Sequence, residues 1–208
     1  GLAGITPVEV VIIGAGTAAE SAVRAAIGLG AHIRVFDNSV HSLVQLQNNL
    51  GVALYTSVYH PKVLEKALKS ADVLIGALQS HETAPRFFVT EEMVKAMKKG
   101  SVIIDISINQ GDCIETSHPM NISDKPYVKH GVLHYCVTNV PACVARTSSI
   151  ALSNVFMPLL LKVSECGGFL QQLKMDRGLR NGVYVFNGIL TNQFIGNYFN
   201  IPSKDINL

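Results

Sequence analysis

The stretch Val10-Val11-Ile12-Ile13-Gly14-Ala15-Gly16-Thr17-Ala18-Ala19, followed later by Val35-Phe36-Asp37, constrains this chain more than any other. An apolar run ends in a glycine-rich turn, a helical pattern follows, and a second apolar run ends in an acid. That order reads as strand, turn, helix, strand. Gly14 permits a tight turn at the strand end. Gly16 lets backbone approach a pyrophosphate, and Ala19 is small enough for the helix to pack closely on the strand. The helix start at Thr17 and Ala18 presents free N–H groups and a positive dipole to phosphates. Asp37 lies 23 residues after Gly14, near the spacing of about 20 expected for an acid that binds a ribose 2′-OH. A carboxylate there repels a 2′-phosphate, so the expected cofactor is NAD rather than NADP. The competing reading is a glycine-rich turn with no ligand.

The pattern continues beyond this unit. Strand signals fall at Glu9–Ile13, His32–Phe36, Val52–Tyr55, Val73–Ala77, Val102–Ile106 and Val132–Cys136. Helical patterns lie between several of them, at Thr17–Leu29, Val40–Asn49, Pro61–Lys69 and Thr90–Lys98. Thr90 with Glu91 and Glu92 makes a good helix start, and Lys98-Lys99-Gly100 a good stop. Such alternation predicts an α/β fold, a doubly wound parallel sheet of the Rossmann type with right-handed crossovers. After about residue 146 the pattern changes. Ser148–Glu165 reads as one long, largely apolar helix with Pro158 inside it, ended by Gly167-Gly168. The expected organisation is a nucleotide-binding domain over 1–146 and a C-terminal helical segment over 147–208. That segment is too short for its own core, so it is expected to pack on another domain or on a partner chain, as in a homo-oligomer.

Composition excludes several classes. The 208 residues are 48% hydrophobic with a net charge of +2, and the basic residues are scattered, which argues against nucleic acid or an anionic membrane. The longest apolar candidate, Val155–Val163, carries Pro158 and Lys162 and falls short of the about 20 residues that span a bilayer, so no membrane insertion is expected. The four cysteines form no CxxC pair and read as reduced thiols of a cytoplasmic protein. His130 and His134 would share a face on a helix, but Gly131 and Val132-Leu133 argue for a strand start, so no metal site is expected.

In an open α/β sheet the ligand lies beyond the C-terminal strand ends. The segments there are Gly14–Ala19, Asp37–Ser39, Gly76–Pro85, Asp105–Cys113 and Val137–Pro141. Asp105–Cys113 is the most polar loop after a fully apolar strand. Transfer of a hydride from an amino or hydroxy acid needs polar groups beside the nicotinamide, and Asp105, Asn109 and Asp112 are the local candidates. The plainer alternative is that Asp105 hydrogen-bonds loop backbone and Asp112 is a solvated turn acid. Asn139 either hydrogen-bonds the ribose or carboxamide or shapes its turn.

Ala3-Gly4-Ile5-Thr6-Pro7 leading into Ile12–Ala19, with Gly100–Gly111 and Tyr135–Pro141, resembles the alanine dehydrogenase family, whose fold family includes the NAD-binding subunit of proton-translocating transhydrogenase. The match to the dehydrogenase is closer, through Asp105–Cys113, Glu115-Thr116-Ser117 and His134–Val137. The resemblance implies NAD-dependent, reversible oxidative deamination of L-alanine to pyruvate and ammonia. It implies that Gly14, Gly16, Thr17 and Ala18 hold the pyrophosphate and that Asp37 holds the adenosine ribose. Ala77 and Leu78 would line the adenine side, and Ile108, Val137, Asn139 and Val140 the nicotinamide pocket. Asn109 falls where the dehydrogenases have a catalytic aspartate. An asparagine keeps the shape but can neither accept a proton nor carry charge. Asp112 stands where a second glycine is usual. Family members also carry a preceding domain that supplies the arginine, lysine and histidine for the small-molecule substrate. The chain is therefore expected to be the cofactor-binding portion of a longer enzyme, inactive alone, with a transhydrogenase-type or non-catalytic NAD-binding module as the alternative.

Overall fold

The computed structural model describes residues 3–78, 87–109 and 113–206, the side chain of Tyr198 excepted. The chain divides into two compact units, Gly1–Cys143 and Val144–Leu208.

The first unit is built on a seven-stranded sheet. Its strands are β1 (Glu9–Ile13), β2 (His32–Phe36), β3 (Tyr55–Ser57), β4 (Val73–Gly76), β5 (Val102–Asp105), β6 (Tyr127–Lys129) and β7 (Val132–Tyr135). The spatial order is β3-β2-β1-β4-β5-β7-β6. Every pairing is parallel except β6 with β7. This is the doubly wound, Rossmann-type order, and the chain reverses its direction of travel between β1 and β4. The helices are α1 (Thr17–Gly28), α2 (Val40–Leu50), α3 (Pro61–Ser70) and α4 (Glu91–Lys95).

Strand alternation explains why both faces are covered. Val10 and Ile12 join a core with Ala19, Val23, Leu43 and Leu46 of α1 and α2. Val11 and Ile13 point the other way, into a core with Leu64 and Leu68 of α3 and Met93 and Val94 of α4. β1 therefore buries two rows of branched side chains, as a strand inside a parallel sheet requires. On α1 the buried positions along one face are Ala19, Val23 and Ala26, a spacing of four and three that keeps one stripe on the sheet. Ala19 is fully buried, so its small side chain sets how near the helix lies to β1.

Several boundaries differ from the sequence expectation. β3 begins at Tyr55 rather than Val52, because Gly51 closes α2 in the left-handed conformation with φ 66° and the next residues cross to the sheet. Gln47 holds that crossing, donating from Nε2 to the Leu54 carbonyl at 3.1 Å. α4 ends at Lys95, three residues short of the pattern. Its last turn tightens into bonds from Ala96 N to the Met93 carbonyl and Met97 N to the Val94 carbonyl, which stops propagation. β6 was not expected at all. It pairs with β7 across His130 and Gly131, whose φ values of 55° and 78° are both positive, the combination that two-residue hairpins demand.

The second unit holds α5 (Ala145–Glu165), α6 (Phe169–Met175), α7 (Arg177–Asn181), a hairpin of β8 (Val185–Phe186) with β9 (Ile189–Leu190), and α8 (Gln193–Phe199). Gly167 and Gly168, with φ 84° and 115°, separate α5 from α6. Among the described residues, Leu173 is the one large apolar side chain of this unit that is fully buried. The α5 helix begins three residues earlier than the pattern. With the 3₁₀ turn before it, Val140–Glu165 is long and apolar enough to cross a membrane by length and composition alone. The helix is longer than the run Val155–Val163 on which the sequence reading rested.

Candidate functional site

The C-terminal ends of β1, β2, β4 and β5 are tied to one another just past the last strand residues. Gly14 N donates to the Phe36 carbonyl at 2.8 Å, Ala77 N to the Ile13 carbonyl at 2.8 Å, and Ile106 N to the Gly76 carbonyl at 2.8 Å. The loops therefore leave the sheet from a fixed rim, and the crevice lies between β1 and β4, where the winding reverses.

Gly14 sits at that crevice with φ 105°. A Cβ there would lie 2.3 Å from the Ala77 carbonyl oxygen and 2.9 Å from Leu78 N. The turn after β1 and the Ala77-Leu78 segment after β4 thus touch backbone to backbone, and only glycine allows it. Gly16 is different. Its φ is −82° and a Cβ there would meet no atom of the described residues within 4 Å, so the space beside it is open among them. Gly16 is also the N-cap of α1 and offers no side-chain cap. Thr17 and Ala18 are exposed in the first turn, where helix amides have no intrahelical acceptor.

Asp37 closes the turn from the side of β2. Its Oδ2 accepts from Ala15 N at 2.7 Å and its Oδ1 from Ser39 N at 2.7 Å. The carboxylate therefore shapes the glycine turn it stands beside. Each oxygen keeps a further lone pair, so the same group can still receive ribose hydroxyls. Sequence spacing brought out Asp37 but not this backbone duty.

Asp105, at the end of β5, points inward. It is 1% exposed, and its Oδ1 accepts from Ser107 N at 3.0 Å and Ser107 Oγ at 2.9 Å. Of the two sequence readings, the loop-bracing one describes this geometry. Burial pushes the carboxyl above the usual carboxylate range, and the Ser107 and Ser117 hydroxyls only partly offset it. The Ser117 hydroxyl eases the charge as a hydrogen-bond donor would, although Asp105 Oδ2 and Ser117 Oγ are both buried with no well-formed hydrogen bond among the described residues.

Asn109 is exposed and its Nδ2 donates to the Thr138 carbonyl, joining the turn after β5 to the turn after β7. Ile108, Val137 and Val140 fall in one small apolar cluster with Met120 and Cys136. Thr138 N in turn donates to the Met120 carbonyl at 3.1 Å. Asn139 is exposed, and its carbonyl accepts from Ala142 N at 3.0 Å to begin the 3₁₀ turn. Gly14, Gly16, Ala77 and Asp37 therefore gather at one side of the rim, and Ile108, Asn109, Val137 and Val140 at the other. Asp112 lies outside the described residues, as do residues 79–86. Ser107 and Thr138 had no signal in the sequence, because one acts through a buried acid and the other through its carbonyl.

Beneath the second group lies a buried polar stack. His134, fully buried, has Nδ1 2.9 Å from the Val132 carbonyl and Nε2 2.8 Å from Thr116 Oγ1. The carbonyl fixes the proton on Nδ1, so Nε2 accepts from Thr116. Burial holds this imidazole below its ordinary pKa. Tyr127 stacks between His118 and His134, with ring centroids 3.8 and 4.9 Å away.

The fold and this rim define the class, a Rossmann-type α/β domain with its glycine turn at the switch point. Residues 1–193 match the family described as alanine dehydrogenase/PNT, C-terminal domain, and the chain belongs to it. The alanine dehydrogenase of Mycolicibacterium smegmatis is 38% identical over 206 residues, which cover 99% of this chain and 55% of that protein. Alanine dehydrogenase 2 of Staphylococcus aureus is 38% identical over 208 residues, with the same shares. The chain thus spans about half the length of the curated relatives it matches. Among solved structures, an L-alanine dehydrogenase superposes with a TM-score of 0.85 at 34% identity, covering 96% of this chain and 55% of that one. A transhydrogenase from Sinorhizobium meliloti, at 24% identity and a TM-score of 0.66, shares the fold.

Proposed function

We propose that this chain is the NAD(H)-binding portion of an alanine dehydrogenase-like oxidoreductase, cytoplasmic and oligomeric in its whole form. The observation that carries the reading is the glycine turn at the β1/β4 switch point. Gly14 is wedged against Ala77, Gly16 opens onto free space, and the α1 N-terminus has no side-chain cap. That arrangement fits a dinucleotide. Gly16, Thr17 and Ala18 would receive the pyrophosphate, Asp37 the adenosine ribose, and Ala77 and Leu78 the adenine side. Ile108, Val137, Asn139 and Val140 would face the nicotinamide. When bound, NAD supplies the acceptor for a hydride leaving the α-carbon of an amino acid.

The residues of this chain bind and orient rather than carry out proton chemistry. Asn109 donates to the Thr138 carbonyl and has no group that takes up a proton at neutral pH. The arginine, lysine and histidine that grip the amino acid in the family have no counterpart in the rim described above, so the chain alone is expected to bind cofactor without turning over L-alanine. The same Asn109 bridge favours a second reading, an NAD(H)-binding module of transhydrogenase type. Its amide braces the site where an aspartate would repel the carbonyl. The exposed apolar side chains Leu152, Val155, Phe156, Leu160 and Leu161 support packing of α5 against protein, either a further domain or a second subunit. The test is alanine-dependent NADH formation by the full-length protein. Formation supports the dehydrogenase, and NAD binding without it leaves the module reading standing.

A further inference from the structure

We propose that Asp105 is a positioning residue of the cofactor site, acting as a buried neutral carboxylic acid that braces the turn bearing Ile108 and Asn109. The inference rests on the NAD-binding reading for its function but not for its geometry. The bracing is direct, since one oxygen of Asp105 takes both the amide and the hydroxyl of Ser107. The seat is built from the neighbouring strand. Gly76 pairs with Asp105 in the sheet register, and a Cβ on Gly76 would stand 3.0 Å from Asp105 Oδ1 and 3.3 Å from Ile114 Cδ1. A glycine in mid-sheet normally weakens a strand; here it makes room for a carboxyl.

The protonation state follows from what surrounds the other oxygen. No lysine, arginine or histidine among the described residues pairs with Asp105. Among the described residues, the titratable groups that act on it or feel it are Cys113, Cys136 and Tyr127, all neutral in their ordinary state and all raised here, Cys113 to about 12. A carboxylate in that setting has neither a counter-charge nor enough donors. A proton on Oδ2 changes this. The buried charge is gone, and the acid donates toward Ser117 Oγ where, in the ionised form, the Ser117 hydroxyl would have to donate to an uncompensated charge. Oδ1 remains free to accept from Ser107. As pH rises through the raised value, Asp105 loses that proton, the charge stands uncompensated, and the turn it braces loosens.

The test uses Asp105→Asn and Asp105→Ala beside the wild type. Asparagine copies the neutral acid, with one acceptor toward Ser107 and one donor toward Ser117. Expected results are a wild-type dissociation constant for NAD that weakens with rising pH, and an Asp105→Asn constant within about threefold of the wild-type value at neutral pH but independent of pH. Asp105→Ala should weaken NAD at least tenfold throughout and speed hydrogen exchange across residues 106–109. The wild type should also show an infrared carboxylic-acid band that both variants lack. The proposal is overturned if Asp105→Asn loses as much affinity as Asp105→Ala, if Asp105→Ala leaves exchange and affinity unchanged, or if the acid band is absent at neutral pH. Should the wild type bind no NAD, the functional reading fails, while exchange and the infrared band still decide the role of Asp105.

Discussion

Replacing Gly14 by alanine is the sharpest probe of how the turn is built. The new Cβ would lie 2.3 Å from the Ala77 carbonyl oxygen and 2.7 Å from its carbon. Carbon–oxygen contacts settle near about 3.3 Å, so the turn or the Ala77-Leu78 segment must retreat by about 1 Å. Neither retreats freely, because Gly14 N is bonded to the Phe36 carbonyl and Ala77 N to the Ile13 carbonyl. The φ of 105° adds backbone strain of about 1–3 kcal/mol for a residue with a side chain. Overpacking adds about 1–3 kcal/mol more. A loss of about 2–6 kcal/mol is expected, which for a unit of this size lowers the thermal midpoint by at least about 5 °C. The internal control is Gly16→Ala, whose Cβ meets nothing. It should leave stability within about 1 kcal/mol yet weaken NAD at least tenfold, about 1.4 kcal/mol. Circular dichroism melts and NAD titration of both variants read this directly. An unchanged midpoint for Gly14→Ala, or unchanged affinity for Gly16→Ala, refutes the reasoning.

Three further outcomes are expected. Asp37→Ala removes the acceptor for Ala15 N and Ser39 N together with the ribose contact. NAD affinity should fall by about 1–3 kcal/mol, measured by calorimetry, and unchanged affinity would sink the ribose role. Asn109→Asp in the full-length protein should raise alanine-dependent turnover, by up to the about 10²–10⁴-fold typical of an acid–base group. The lost amide bond to the Thr138 carbonyl should cost about 1 kcal/mol of stability, and no gain in turnover would favour the non-catalytic module. His134 is held neutral, below its ordinary pKa. The unfolded chain binds its proton first as pH falls, so the stability contributed by the neutral form is complete above about pH 6.5. It is then lost as pH drops toward the lower folded value. Urea midpoints at pH 7.5 and 5.5 should fall for the wild type and fall less for His134→Gln.

Much of this fold is written locally, and the parts that are not share one physical cause. β1 and β2 match their expected limits, Glu9–Ile13 and His32–Phe36, because branched runs bounded by Gly14 and Asp37 leave no alternative. The start of α2 is equally local, since Ser39 Oγ accepts from Ser42 N. β6 was illegible because Tyr127–Lys129 is three residues long and gains its place only by pairing with β7, although His130-Gly131 carried the hairpin signal. The β8–β9 hairpin repeats the lesson, with Asn187 and Gly188 both at positive φ. In the candidate site, Gly14 and Asp37 were readable because turn geometry and spacing are sequence properties. The inward aim of Asp105 was not, for it depends on the room that Gly76 leaves one strand away.

Calorimetric titration of this chain with NAD and NADP in parallel tests the account most directly. The glycine turn, the uncapped α1 N-terminus and Asp37 predict saturable binding of NAD and markedly weaker binding of NADP, whose 2′-phosphate meets the Asp37 carboxylate. Equal affinity for the two would contradict the role given to Asp37, and binding of neither would contradict the dinucleotide site itself.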